Sequence, residues 1–190
     1  DIPLVLTPVH HPRWQGWRYR VYDQLYREAD ALIALTESER QIFLRLGVKP
    51  DRIHVTGHGP ILAPQAEGER FRQTFGITGP MVLFLAQHYR YKGFQALLAA
   101  APMVWRSFPE AKFVFIGPPV GPSEQHFKAF PDHRIHRLGA VDLQTKTDAL
   151  AACDLLCVPS MQESFGGVFT EAWSFQKPVI GGRIPAIAEV

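Results

Sequence analysis

Short apolar runs alternate along this chain with stretches in which apolar residues recur every three or four positions. The first run, PLVLTPV (3–9), predicts a buried strand. HHPRWQG (10–16) carries the proline and glycine of a loop. From Trp17 the spacing becomes helical, with Val21, Tyr22, Leu25, Tyr26 and Ala29 on one face. ALIAL (31–35) predicts a second strand. Thr36 and Glu39 then stand in capping-box positions before a helix that presents Ile42, Phe43 and Leu46 and stops at Gly47. RIHVT (52–56) predicts a third strand.

Residues 57–69 hold glycines and prolines without periodicity and read as a linker. After a short helical piece at 69–75 the alternation resumes. Strands are predicted at MVLFLA (81–86), KFVFIG (112–117), RIHRLG (134–139), DLLCVPS (154–160) and PVIG (178–181). Between them lie helices marked by Phe94, Leu97, Leu98, Ala101 and Trp105, by SEQHFKAF, by Asp142 through about Cys153, and by Gly166 to Gln176. Pro102 is expected to kink the first of these. Strands that are apolar throughout and alternate with helices imply an α/β fold, a parallel sheet covered on both faces. The expected division is residues 1–60, a linker and lead-in at 61–77, and a second domain at 78–190.

An apolar share of 46% is enough for a packed core and argues against disorder. A net charge of +2 gives no case for nucleic acid as a partner. No apolar run approaches the roughly 18 residues of a membrane-spanning helix. Cys153 and Cys157 have no second ligand pair at zinc-site spacing and read as core thiols, which fits a reducing compartment. Between residues 13 and 27 arginines mix with aromatics. The aromatics are expected to be the buried face of the helix and the arginines its solvated face, with peripheral membrane contact as the alternative. Asp1 opens on a strand already under way and IPAIAEV reads as a helix just starting, so the chain reads as a piece cut at both ends.

Candidate chemistry gathers in ESFGGVFTE (163–171). It follows the carboxyl end of a predicted strand, where ligands of such sheets sit. The unpaired N–H groups of a starting helix favour an anion, and Gly166 and Gly167 let a ligand approach the backbone. Glu163 in the loop and Glu171 in the helix could accept hydrogen bonds from hydroxyls at opposite ends of one elongated ligand. A phosphate centre with hydroxyl-rich ends describes a nucleotide-sugar. Taken singly, each glutamate would be a solvated residue and each glycine a packing device.

The stretch VPSMQESFGGVFTEAWSFQKPVIGG resembles the signature of the family 4 retaining glycosyltransferases, of the GT-B superfold: proline-serine, a glutamate, seven residues, a second glutamate, then a proline-valine strand. READALIALTESERQIFLRLGVKPDRIHVTGHGP, FVFIGPPVG, IHRLGAV and ALAACDLLCVPS also resemble that family in order and spacing, over nearly the whole chain. The resemblance implies two Rossmann-like domains, with this chain holding the tail of the acceptor-side domain and most of the donor-binding one. It implies that Glu163 contacts the transferred sugar. Ser164, Phe165, Gly166 and Gly167 would lie at sugar and diphosphate, and Glu171 would bind the ribose. Lys92 matches the family lysine that neutralises the diphosphate, which is electrostatic catalysis. The family usually places an arginine five residues earlier, where this chain has Gln87; a glutamine hydrogen-bonds phosphate but supplies no charge. Arg90 is the nearby candidate to replace it. After LTPV the family often places a cleft histidine, and both His10 and His11 are candidates, with His10 preferred.

The implied activity is retaining sugar transfer from a nucleotide-diphosphate sugar to a sugar, lipid or other acceptor, with no metal and no further cofactor. The cytoplasm, or the inner face of the membrane, is the expected location. The piece alone is expected to be inactive. The alternative carried by Gln87 is a non-catalytic nucleotide-sugar binding module of the same fold. An epimerase or phosphorylase is a third reading, without a visible pyridoxal-binding lysine or inorganic phosphate site. The glycine pattern of a P-loop or of the dinucleotide fingerprint is missing.

Overall fold

The computed structural model describes residues 2–10 and 17–190. In chain order its first elements are β1 (Val5–Leu6), α1 (Arg20–Glu28), β2 (Ala31–Ala34), α2 (Glu37–Arg45), β3 (Ile53–Val55) and α3 (Gly68–Thr74). There follow β4 (Met81–Leu85), α4 (Phe94–Val104), β5 (Lys112–Ile116), α5 (Ser123–Lys128), β6 (Ile135–Leu138) and α6 (Leu143–Ala152). The last are β7 (Leu155–Val158), α7 (Gly167–Trp173), β8 (Val179–Gly181) and α8 (Pro185–Glu189). The chain divides into two compact units. The first comprises Asp1–Gly59, Gln162–Gly167 and Arg183–Val190, the second Pro60–Met161 and Val168–Gly182.

The first unit is built on three parallel strands in the order β1-β2-β3. β1 is shorter than the apolar run predicts, because Pro3 and Pro8 bracket it and a proline has no N–H to give a ladder. Its core is Tyr26, Ala29, Leu32, Ala34, Phe43, Val48 and Ile53, with Leu6, Leu44 and Leu46 packed against it. The stripe on α1 does not behave as its periodicity predicts. Tyr26 and Ala29 are buried, but Val21 is 67% exposed and Tyr22 41%. Only the last turn of this nine-residue helix reaches the small core, where Tyr26 meets Phe43 edge-on at 5.4 Å. Earlier in the helix, tyrosine packs on tyrosine instead: the ring of Tyr22 stacks with those of Tyr19 and Tyr26 at 6.3 and 6.4 Å.

α2 begins as its sequence predicts, with Thr36 Oγ1 accepting the Glu39 N–H at 3.1 Å. The other arm of the cap is different. The Glu39 carboxylate turns inward, accepting the Leu35 N–H through Oε2 at 2.6 Å and the His10 N–H through Oε1. Glu39 is only 2% exposed, and burial raises its carboxyl above the usual glutamate range, offset in part by those two backbone donors. One side chain therefore fixes the strand-to-helix corner and the segment that carries His10. Glu39→Gln keeps the size but turns an amide N–H₂ toward a backbone N–H. We expect a loss of about 1–3 kcal/mol, measured as a lower midpoint in chemical denaturation.

The second unit is a five-stranded sheet, entirely parallel, in the order β6-β5-β4-β7-β8. Phe84, Phe113, Phe115, Leu83, Ile116 and Leu156 are fully buried in its strands, while Phe94, Leu150 and Phe169 pack from the helices. Cys153 and Cys157 are free, buried thiols, pushed up to about 11 by burial. Pro102 sits inside α4. α7 ends at Trp173, short of the Gln176 that the apolar pattern suggests, and Gln176 lies at φ +57°. Successive strands run outward from β4 to β5 and β6, and the next returns to the other side of β4 as β7. β4 is therefore the switch point, and a crevice is expected beyond the carboxyl ends of the strands there.

Segment 61–67 has no regular structure, yet it is not loose. The α6 side chains hold it: Ala63 N–H donates to Thr147 Oγ1 at 2.9 Å, Glu67 N–H to Asp148 Oδ1 at 2.7 Å, and Gln144 Nε2 to the Gln65 carbonyl at 3.1 Å.

Candidate functional site

A hollow of about 330 Å³ opens at the predicted edge of the second unit's sheet. Leu85, Ala86 and Gln87 line it from the end of β4, and Ile116, Gly117 and Pro118 from the end of β5. Ala140 and Val141 follow β6, Lys146 comes from α6, and Val168 and Glu171 from α7. Its walls are mostly apolar, with a few polar groups converging, the make-up of a small-molecule site.

Glu171 is 8% exposed, and its Oε1 accepts from Lys146 Nζ at 2.7 Å and from the Ile61 N–H at 3.4 Å. Both contacts fall on Oε1. Lys146 Nζ also donates to the Ile61 carbonyl at 2.6 Å. A buried carboxylate needs a counter-charge and hydrogen bonds, and here one ammonium and one backbone amide provide them. Gln87, exposed, also lines this hollow. The sequence reading missed Lys146. A signal was present: it lies one helical turn before the buried Ala149 and Leu150, where an amphipathic helix has no packing reason for a cation.

Arg90 and Lys92 lie on a 3-10 turn, Arg90–Lys92, which ends at Gly93. Arg90 is exposed and Lys92 half-buried, with its Nζ 5.5 Å from the Tyr91 ring centroid. Gly93 has φ +83°, and a Cβ there would come within 2.5 Å of the Pro159 carbonyl oxygen. The glycine after the lysine thus lets the turn lie against the end of β7, where Met161 N–H donates to the Tyr91 carbonyl at 2.8 Å.

The remaining candidates belong to the first unit. Ser164 Oγ donates to the His10 carbonyl at 2.9 Å, and the Ser164 carbonyl accepts from Thr36 Oγ1 at 3.5 Å. The Phe165 ring lies 6.2 Å from that of His58. Gly166 is buried at φ +85°, a backbone turn that a side chain would strain. Gly167 starts α7, and Glu163 is half-buried in the loop. His10 is 5% exposed, its ring edge-on to Tyr26 and Phe43 at 5.9 and 6.1 Å. His11 lies outside the described residues.

One histidine that the sequence reading passed over stands between Gln87 and the 3-10 turn. His88 is 1% exposed, its ring 5.1 Å from Phe127, 5.5 Å from Phe94 and 6.0 Å from Phe84. Among the described residues neither ring nitrogen has a hydrogen-bond partner. Burial first, and Arg137 second, lower its basicity, with Glu124 opposing; His136 is lowered likewise by burial, Lys112 and His133. A histidine lowered on folding stabilises fully above its unfolded value of about 6.5, and that stability is lost as pH falls below it. We therefore expect the denaturation midpoint to drop between about pH 7.5 and pH 5.5, and to drop less in His88→Leu, leaving the share owed to His136.

Comparison with known proteins bears on this site. The family model described as "Glycosyl transferases group 1" matches residues 79–190, and "Glycosyl transferase 4-like domain" matches residues 1–59. A D-inositol 3-phosphate glycosyltransferase of Corynebacterium glutamicum is 31% identical over 183 residues, covering 85% of this chain and 43% of that protein. A phosphatidyl-myo-inositol mannosyltransferase of Propionibacterium freudenreichii is 28% identical over 174 residues, covering 90% of this chain and 43% of that protein. The chain thus spans less than half the length of these relatives. Among solved structures, Anabaena HepE in complex with UDP-glucose superimposes with a TM-score of 0.78 at 23% identity, over 98% of this chain and 55% of HepE. WaaG, a glycosyltransferase involved in lipopolysaccharide biosynthesis, does so at 0.69 and 22%, over 91% and 51%.

Proposed function

The chain belongs to the group 1 glycosyltransferases, with the GT-B type of fold, and on that premise we propose that its second unit binds the nucleotide-diphosphate sugar donor of a retaining transfer. The observation that carries this reading is the hollow at the sheet's switch point with a buried carboxylate in its wall. Glu171 receives a ribose hydroxyl there, and Gln87, from the end of β4, hydrogen-bonds the donor. Lys92, with Arg90 beside it in sequence, meets the diphosphate charge that grows as the leaving group departs. Glu163 contacts the transferred sugar, the backbone around Phe165, Gly166 and Gly167 donates to sugar and diphosphate, and His10 orients the sugar or acceptor. The bond from the anomeric carbon to the diphosphate breaks and the bond to the acceptor oxygen forms on the same face. The acceptor proton passes to the departing phosphate oxygen. No metal and no covalent glutamyl intermediate enters this scheme.

That a relative is named for phosphatidyl-myo-inositol and a neighbour for lipopolysaccharide biosynthesis favours a polyol, sugar or lipid acceptor at the inner face of a membrane. Exposed Trp17, Val21 and Leu25 beside Arg18 and Arg20 would suit such a surface. No helix among the described residues is long and apolar enough to cross one.

Thermal-shift screening of the complete protein with UDP-, GDP- and ADP-sugars tests the donor reading. One donor class should raise the melting temperature, and Glu171→Ala should abolish the rise; no shift with any donor overturns the reading. The 190-residue chain alone should show no turnover, and robust transfer by it would refute that expectation. Gln87, standing where the family usually has arginine, favours a second reading as a non-catalytic binding module. A large gain in transfer on Gln87→Arg would support it, and no change would support the working enzyme.

A further inference from the structure

The carboxylate assigned to the ribose does not set its own position. Glu171 projects from a seven-residue helix, and among the described residues its head is held by Lys146 Nζ and the Ile61 N–H, both on Oε1. The ammonium is itself fixed, because it also donates to the Ile61 carbonyl at 2.6 Å. Carboxylate, ammonium and the backbone of a single residue thus close a ring. The next residue on α6, Thr147, anchors the same segment by accepting the Ala63 N–H, and it donates to the Leu143 carbonyl at 2.7 Å. Lys146 and Glu171 are both largely enclosed, with 20% and 11% of their side chains exposed, and both line the hollow. Oε2 stands outside the ring.

The geometry points to Lys146 as the positioning residue of the donor site. Resting on the donor reading above, this inference adds that Lys146 saturates Oε1 and aims Oε2 at one ribose hydroxyl. Selectivity for a ribose over a deoxyribose then depends on a side chain that need not touch the sugar. Arginine at 146 can keep the charge and the two contacts, although its planar head fits them less well. Methionine fills a similar volume and removes both.

The test is calorimetric binding to the complete protein, with UDP, GDP and ADP and their 2′-deoxy and 3′-deoxy forms as probes. The variants are Lys146→Met, Lys146→Arg, Glu171→Gln and the Met/Gln double variant, with ligand-free melting temperatures recorded alongside. The expected result is weakening of the preferred nucleoside diphosphate by about tenfold in Lys146→Met. Preference for the ribose form should be lost, and Lys146→Arg should restore most of both. In the Glu171→Gln background the methionine substitution should cost little more, because the two residues act as one. A loss of melting temperature alone does not produce that coupling or the loss of hydroxyl preference. Equal cost of Lys146→Met in both backgrounds, or intact ribose selectivity in that variant, overturns the inference while leaving the donor reading in place. Failure of the unsubstituted protein to bind any of the probes overturns both.

Discussion

A carboxylate removed from water at the margin of an apolar sheet must be neutralised by something equally fixed. That constraint organises the second unit around Glu171. It explains why α6 carries a lysine on its inward side, and why the irregular stretch after residue 60 runs along α6 rather than across open solvent. It also explains why α7 can be only seven residues long and still hold an acid in place. The ion pair joins two helices and the incoming chain, and the hollow owes its polar corner to it.

The first unit meets the same requirement differently. Among the described residues no cation pairs with the Glu39 head; two backbone amides serve, and burial still pushes its carboxyl upward. An acid held this way fixes main chain instead of binding a ligand. The contrast separates the two buried glutamates by their surroundings: one has both oxygens bonded to backbone amides, and the other has its contacts among the described residues on one oxygen and lines a hollow.

Much of the fold was legible in the sequence because its signals are local. Apolar runs gave the strands, Thr36 and Asp142 gave caps that the structure repeats, and strand-helix alternation gave a parallel sheet. Where a reading failed, the deciding partner was distant. The stripe on α1 is helical in period, but how much of it is covered depends on the size of the sheet beneath, which no window of residues encodes. Glu39 was legible as a cap and not as the anchor of His10, which lies 29 residues away. Lys146 and Glu171 are 25 residues apart, and Lys146 belongs to no motif that the sequence reading used. His88 was overshadowed by the motif residues around it. The glutamate and glycine signature was the most readable part of the candidate site, while the contacts that hold its residues were nearly invisible.

The glycine loop has a further implication for how the protein can be divided. Although residues 162–167 are flanked on both sides by the second unit, their serine is hydrogen-bonded to the main chain at His10 and their phenylalanine lies beside His58. An expression boundary drawn after Gly59 would cut those six residues away from the surroundings that shape them, even though not one of them had been deleted. Linear order is thus a poor guide to where this polypeptide can be severed: segments of the two units alternate along the chain, and a clean half would need a graft as well as a cut.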